Sequence, residues 1–300
     1  MKIGYLGPKG TFSEQALKKY LNENKISNAE AIPVSSFFDL FQVFSSGKCD
    51  KIIVPIENSI EGSVSINFDL LAKAENALIE QEILLDIEQN LLGNIGTAVD
   101  QITDIYSHPQ PLAQCQKYLK THFPDVRTYQ LDSTSLAAEM VAKPELSIIA
   151  HSNKQQYPDK KFVYAAIGSR ELAEIYGLKI LAENIGDYPN NTTQFFVVGR
   201  NKTISTGSDK TSILFSTLKD RPGGLYEILG EFASENINLT RITSRPTKEV
   251  LGEYLFFIDF EGHVDDPVVQ EVLASIQTKA SFFKLLGSYK KQSTGCSSVR

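Results

Sequence analysis

Four short turns in the first 200 residues carry the side chains best suited to holding a small anion. They are GPKGTFSEQAL around Thr11 and Phe12, VPIENSIEGSVS around Glu57, Asn58 and Ser59, YSHPQPLAQC around His108 and Gln110, and QLDSTSLAAEM around Ser133, Thr134 and Ser135. Thr11 and Glu14 fit a capping box that starts a helix near Phe12. Ser107 is placed to cap a helix with Pro109 at its first position, and Ser133 or Thr134 can cap another. Helix N-termini present unpaired N–H groups and about half a positive charge. Several of them meeting in one crevice would bind an anion without lysine or arginine. In open α/β sheets ligands bind beyond the carboxyl ends of strands. Any one of these turns also reads as an ordinary helix cap. Together, with their excess of Ser, Thr, Asn and Gln, they favour a cleft for a small anionic ligand, which periodicity alone does not name.

The elements that must hold these turns alternate in kind. Strands are expected at Lys2–Leu6, Ala31–Val34, Lys51–Ile56, Glu82–Leu92, Ile102–Tyr106, Val126–Gln130, Leu146–Ala150, Leu178–Glu183 and Thr193–Gly199. Helical patterns such as Ser13–Asn22 and Leu112–Thr121 lie between them. This alternation predicts α/β layers with largely parallel sheets. Residues 201–210, NKTISTGSDK, are small and polar and read as a linker. From Thr211 the order becomes β–α–β–β–α–β over residues 211–290, with a second helix near Asp266–Thr278 and a last strand near Ser281–Tyr289. That order is a ferredoxin-like split βαβ unit. The tail, residues 291–300, is expected to fray.

Composition narrows the function. Three hundred residues suggest about two domains. A net charge of −6 argues against a nucleic-acid partner, which needs a basic face. Cys49, Cys115 and Cys296 are far apart and lack metal-ligand spacing, so no metal is expected and they read as reduced thiols of a cytoplasmic protein. The N-terminus enters a strand directly, without the regions of a signal peptide. No apolar run approaches the ~20 residues that span a bilayer, so no membrane association is expected.

The motifs GPKGTFSEQA, VPIENSIEGSV, YSHPQPLAQC, DSTSLAAE, AAIGSRELAEIYGLKIL and NNTTQFFVVG appear in this order and resemble those of the bacterial and archaeal prephenate dehydratases. The resemblance covers nearly the whole chain, and residues 211–290 resemble the ACT domain that follows this catalytic domain. It implies a catalytic region, residues 1–200, of two α/β lobes like a periplasmic binding protein. One lobe would comprise residues 1–80 and 175–200, the other residues 81–174. No chorismate mutase segment precedes Met1, so a separate mutase is expected to supply the substrate.

The implied reaction converts prephenate, a dianion with a ring carboxylate and a 4-hydroxyl, into phenylpyruvate, carbon dioxide and water. Aromatisation drives it, and expelling the hydroxyl limits it, so no cofactor is expected. The family's central threonine, in a Thr-Arg-Phe motif, corresponds to Thr193, and its phenylalanine to Phe195. The arginine is absent, and Gln194 stands there. A weakly acidic threonine would act by donating a hydrogen bond to the leaving hydroxyl. A lost charge-assisted hydrogen bond costs roughly 1.5–3 kcal/mol, which implies weakened rather than absent activity. Lys9 is a candidate for restoring the charge. Glu57 would help the hydroxyl leave if desolvation raised its pKa, and His108 would serve as an acid/base or as a turn-capping histidine. Asn58, Ser59, Gln110, Ser133, Thr134, Ser135 and Gln194 would bind substrate oxygens, with Thr11, Phe12 and Phe195 as walls.

In the resemblance, phenylalanine binds between ACT domains at two motifs, Gly-Ala-Leu-Val and Glu-Ser-Arg-Pro. Here these read Gly223-Gly224-Leu225-Tyr226 and Thr243-Ser244-Arg245-Pro246, so Gly224, Tyr226 and Thr243 depart from the pattern. Gly223, Gly224, Leu225, Asn238, Leu239, Ser244 and Arg245 would form the effector site. A homotetramer, as a dimer of dimers, is the implied assembly. Two alternatives stay open because of Gln194: an arogenate dehydratase, and a catalytically weak or dead ligand-binding sensor.

Overall fold

The computed structural model describes residues 1–146, 152, 155–156, 162–218, 222–248 and 253–292. The first lobe contains β1 (Lys2–Leu6), α1 (Phe12–Glu23), β2 (Glu30–Val34), α2 (Phe37–Ser45), β3 (Lys51–Asn58), β4 (Gly62–Ser63), α3 (Ser65–Lys73) and β5 (Leu78–Asp86). β1 pairs in parallel with β2 and β3. The late strand β11 (Thr192–Gly199) returns to this sheet and lies antiparallel between β3 and β5.

The second lobe contains β6 (Asn90–Gly93), β7 (Asp104–Ser107), α4 (Pro109–Gln114), α5 (Gln116–His122), β8 (Arg127–Gln130), α6 (Thr134–Ala142), β9 (Tyr164–Gly168), α7 (Arg170–Tyr176) and β10 (Lys179–Ala182). Its sheet order is β10-β6-β9-β7-β8. β7 is parallel to β8 and β9, whereas β6 is antiparallel to β9 and β10. Both sheets are therefore mixed rather than largely parallel, because the strands that cross between lobes re-enter against the local direction.

The crossings also move the expected lobe limits. The run Glu82–Leu92 is two strands, β5 and β6, separated by a crossing at residues 87–89. The chain returns between Ala182 and Thr192. Residues 81–86 thus belong to the first sheet and 179–182 to the second. The sequence marks the crossing by polarity rather than by a turn signal, since Asp86 and Glu88 are exposed on either side of buried Ile87. The strand Tyr164–Gly168 went unanticipated: its alanines lack the β-branched signature, yet it lies inside its sheet. The helix expected at Leu112–Thr121 is broken at Cys115. Of the strand expected at Leu146–Ala150, Leu146 ends a 3-10 turn and residues 147–150 lie outside the described residues.

The C-terminal domain follows as β12 (Asp209–Thr217), α8 (Gly224–Ser234), β13 (Leu239–Pro246), β14 (Tyr254–Glu261), α9 (Pro267–Lys279) and β15 (Ala280–Lys290). Its sheet, β13-β14-β12-β15, is fully antiparallel where hydrogen-bonded. One face carries Ile213, Phe215, Ile258 and Phe260 under the two helices. The other face presents Leu214, Phe257, Leu286 and Tyr289, which share one core with Ile56, Phe68, Phe196 and Val198 of the first lobe. Each such buried side chain contributes on the order of 1.5–3 kcal/mol. Gly287 has φ +135°, and a Cβ there would lie 2.5 Å from the carbonyl oxygen of Ile79, so β15 and β5 meet backbone to backbone. The linker is shorter than expected, since β12 begins at Asp209, whose carboxylate accepts the N–H groups of Thr206 and Gly207. The tail is partly anchored: Gln292 N–H donates to Glu82 at 2.8 Å, while residues 293–300 lie outside the described residues. Among the described residues no helix is long and apolar enough to cross a membrane.

Candidate active site

Strand alternation decides which side chains reach the space between the lobes. On β11, Thr193, Phe195 and Val197 point to the α1 side, and Gln194, Phe196 and Val198 point to the opposite side, toward the C-terminal domain. On β3 the alternation is interrupted. Pairing with β11 runs from Gln194 opposite Glu57 to Phe195 opposite Pro55, so Ile56 is an extra residue in a β-bulge. Such bulges re-aim side chains and recur beside active sites. Here the bulge turns Asn58 toward Thr193 and turns Glu57 to the reverse face.

Asn58 and Thr193 are register partners, and Asn58 Nδ2 donates to Thr193 Oγ1 at 2.9 Å. The amide cannot be the other way round. Asn58 Oδ1 accepts the backbone N–H groups of Ile60 and Glu61, both at 3.0 Å, and Nδ2 also donates to Asn191 Oδ1 at 2.7 Å. Thr193 Oγ1 is therefore an acceptor from Asn58, which leaves its own O–H free to donate. Behind this pair runs a chain of amides. Asn191 Nδ2 donates to Gln114 Oε1 at 3.0 Å, and Gln89 Nε2 reaches the same oxygen at 3.3 Å. Gln89 and Asn191 come from the two crossing segments and Gln114 from the second lobe, so the network joins both lobes. Gln89 Oε1 is buried without a hydrogen-bond partner among the described residues.

Thr193 opens onto a cavity of about 420 Å³ between the lobes. Phe12 and Phe195 wall it, and the first residues of α1, α4 and α6 face it through Thr11, His108, Gln110, Ser133 and Thr134. No lysine or arginine is among its described lining residues, which include one carboxylate, Asp132. Ser133 Oγ caps α6 by accepting Leu136 N–H at 3.0 Å. Neither half of the capping box on α1 forms. Glu14 accepts the N–H of Gly10, not of Thr11, at 2.6 Å, and the Thr11 hydroxyl donates to the Leu6 carbonyl at 2.9 Å and caps nothing. His108, rather than Ser107, caps α4, its Nδ1 accepting Gln110 N–H at 3.3 Å. Burial pushes the His108 pKa down, partly offset by Asp132. The ring is thus neutral at neutral pH with its proton on Nε2, suited to donating a hydrogen bond rather than a proton.

Four residues expected in the site lie elsewhere. Glu57 faces the C-terminal domain, with Oε2 2.7 Å from Arg241 Nη2. Gln194 lies on the same reverse face, where Nε2 donates to Glu82 at 2.6 Å and Oε1 accepts from Arg241. Ser59 pins the returning crossover by donating to Asn190 O at 2.9 Å and accepting Thr192 N–H at 3.0 Å. Ser135 is fully buried and donates to the Lys9 carbonyl at 2.9 Å, which ties α6 to the first lobe. The hydroxyl of Ser169 reaches Gly10 O at 3.3 Å in the same seam. Gln89, Gln114, Asn191 and Asp132 were missed. Gln114 and Asn191 sit inside motifs already noticed, but neither lies at a helix start, which was the cue used.

In the C-terminal domain Gly223 has φ +86° and precedes α8, with Gly224 as its first residue. Ser244 and Arg245 end β13 near that same end, because β13 runs alongside β12 in the same direction within its sheet. Asn238 and Leu239 lie beyond the other end of α8, a helix about 16 Å long. Leu225 packs into the core beneath α8. Arg245 is engaged by the catalytic region, with both Nε and Nη2 3.3 Å from the Asp69 carboxylate.

Residues 3–203 match the prephenate dehydratase family and residues 211–277 the ACT domain family. A prephenate dehydratase of Methanocaldococcus jannaschii is 42% identical over 291 residues, covering 95% of this chain and 96% of the relative. The crystal structure of a prephenate dehydratase in complex with L-Phe from Arthrobacter aurescens superimposes with a TM-score of 0.85 at 34% identity, covering 97% of this chain and 90% of that one. The prephenate dehydratase of Staphylococcus aureus gives a TM-score of 0.78 at 30% identity, over 97% of this chain and 100% of that one. Sequence and architecture agree along nearly the full length, and the chain belongs to the prephenate dehydratase family, with an ACT domain after the catalytic region.

Proposed function

We propose that the interlobe cleft converts prephenate to phenylpyruvate, carbon dioxide and water, with Thr193 donating a hydrogen bond to the departing hydroxyl. The observation that carries this reading is the fixed orientation of Asn58, which gives Thr193 an acceptor role toward the amide and frees its O–H. As the C–O bond breaks, its electron pair goes to oxygen. The electrons of the C–carboxylate bond complete the aromatic ring as carbon dioxide leaves, and the departing hydroxide takes a proton from solvent to become water. The leaving oxygen gains charge, and a donor aimed at it lowers the barrier. The uncapped first turn of α1 and the N-termini of α4 and α6 would receive the carboxylates. Phe12 and Phe195 would cover the ring. Gln194 takes no part in binding substrate, so its replacement of arginine favours neither arogenate nor a silent sensor.

The reading extends to regulation. L-Phenylalanine would bind between two ACT domains, at Gly223, Gly224, Leu225 and Ser244 of one and Asn238 and Leu239 of its partner. The separation of these groups along α8 supports a site completed by a second copy. Dimers of this kind would pair into a tetramer in the cytoplasm, and effector binding would shift the balance of states.

Phenylpyruvate formation from prephenate, with and without phenylalanine, tests both halves. Turnover is expected in the wild type, altered by phenylalanine, with Thr193→Val reduced roughly 10²–10³-fold in kcat. Wild-type protein that binds prephenate but forms no product overturns the assignment.

A further inference from the structure

On the reverse face of the catalytic strands, beside the apolar packing of the ACT domain, one arginine makes polar contacts with both strands. Arg241 leaves β13 and enters the seam against the first-lobe sheet, its side chain only 11% exposed. Nη2 lies 2.7 Å from Glu57 Oε2 and the guanidinium donates to Gln194 Oε1. Nη1 is 3.3 Å from the buried Asp259 carboxylate, which anchors the arginine within its own domain. The guanidinium carbon Cζ lies 6.0 Å from the Phe196 ring centroid.

Glu57 and Gln194 are register partners directly behind the catalytic pair. Asn58 follows Glu57, and Thr193 precedes Gln194, so the two back-face residues are one bond away from the two front-face residues. The bulge at Ile56 lies beside them. A bulge leaves the ladder locally incomplete, and the relative position of two strands there depends on what side chains bind. One planar guanidinium reaching both strands fixes that position in a way that a point charge cannot. The Gln194 amide is clamped on its second side as well, by fully buried Glu82, which Lys210 holds at 2.9 Å.

We propose that Arg241 is a positioning residue for the dehydration, clamping Glu57 and Gln194 from behind so that Asn58 and Thr193 keep their hydrogen bond in front. The proposal rests on the assignment of Thr193 as the donor to the leaving hydroxyl. It gives the ACT domain a direct hold on the reaction centre, independent of effector.

Full-length Arg241→Lys and Arg241→Met test it, with Lys284→Met as a control. Lys284 also docks the ACT domain, through the carbonyls of Leu71, Ala72 and Ala74 at the end of α3, but touches neither catalytic strand. Arg241→Lys keeps the seam charge and therefore the fold. Both arginine variants are expected to lose roughly ten- to hundredfold in kcat with KM changed less than about twofold, the scale of a misplaced catalytic group. Lys284→Met is expected to lower the thermal midpoint and leave kcat alone. The Thr193 methyl resonance should move in Arg241→Lys and stay in Lys284→Met. Folded Arg241→Lys with wild-type kcat overturns the clamp, as does an equal kcat loss in Lys284→Met. If wild-type protein makes no phenylpyruvate, the reaction assigned above falls. The methyl spectrum then decides the clamp by itself, and an unmoved Thr193 resonance in Arg241→Lys overturns it.

Discussion

Asn58 Nδ2 lies 2.9 Å from Thr193 Oγ1, and two backbone N–H groups on Asn58 Oδ1 fix which atom of the amide faces the hydroxyl. A threonine that already accepts has one use left for its proton, which is to donate into the cleft. The strands that create this pair also expose Glu57 and Gln194 on the reverse face, to the ACT domain. The Asn58–Thr193 pair and the contacts to the ACT domain therefore occupy opposite sides of the same two strands.

Asn58→Asp tests the orientation of that bond. The carboxylate would still accept the N–H groups of Ile60 and Glu61, but it would also accept the Thr193 proton and turn it away from the substrate. We expect kcat to fall roughly 10²–10³-fold, the loss of one aimed donor. Asn58→Asp combined with Thr193→Val should lose no more than either alone, since the two act as a unit. Additive losses in steady-state kinetics would separate their roles.

Gln194→Arg restores the arginine of the family motif. Were residue 194 a substrate ligand, the change would lower KM or raise kcat. In the seam around Gln194, Glu57, Glu82 and Asp259 face Arg241 and Lys210, so three carboxylates meet two cations. A further cation there does not reach the cleft, although it cannot accept from Arg241 as the Gln194 amide oxygen does. The variant is expected to fold, with KM for prephenate within about twofold of wild type, because nothing bound to substrate changes. A marked gain in kcat/KM would place residue 194 in the substrate site after all.

The α/β layers and the split βαβ domain were legible because alternating apolar runs such as Lys51–Ile56 and Thr193–Gly199 map directly onto strands. The cleft was legible through its helix starts, where Thr11, Gln110, Ser133 and Thr134 all line the cavity. Glu57 was misread because it stands beside Asn58 in one motif, whereas the bulge at Ile56 sends the two side chains to opposite faces. Such a bulge depends on pairing with a strand 135 residues away, which no local pattern reveals. Gln194 was misread because a motif names neighbours in sequence, whereas a strand sends neighbours to opposite faces. Ser59 and Ser135 look like ligand-binding hydroxyls, but both are consumed by backbone carbonyls that only the crossing and the lobe seam supply.

His108 gives a pH dependence. Its Nδ1 caps α4 only while the ring is neutral, and burial lowers its folded pKa below the ordinary value of 6.5. The unfolded chain therefore binds the proton more readily, so stability rises with pH across the window between the two values. The contribution is complete above about pH 6.5 and is lost as pH falls through the depressed folded pKa. His108→Asn keeps an N-cap that does not titrate. Thermal midpoints measured at pH 7 and pH 5 should fall less in His108→Asn than in wild type. An equal fall would assign the acid sensitivity to other groups.

Gly10 tests the closed arrangement of the lobes. Its φ of +82° is left-handed, and a Cβ there would lie 2.3 Å from Leu172 Cδ2 on α7. The loop is held in place by the bonds from Ser135 to Lys9 O and from Ser169 to Gly10 O. Gly10→Ala adds the left-handed strain of about 1–2 kcal/mol and a clash across the lobe seam. The clash is relieved by opening the lobes, because Leu172 is fully buried in the second-lobe core and has little room to yield. Opening moves α6 and its Ser133 and Thr134 away from Thr193. We therefore expect KM for prephenate to rise about tenfold or more, in line with the strain added to the closed state. Small-angle scattering should record a larger radius of gyration in the variant than in wild type. A variant with unchanged KM and unchanged scattering would mean that the seam at Gly10 does not govern closure.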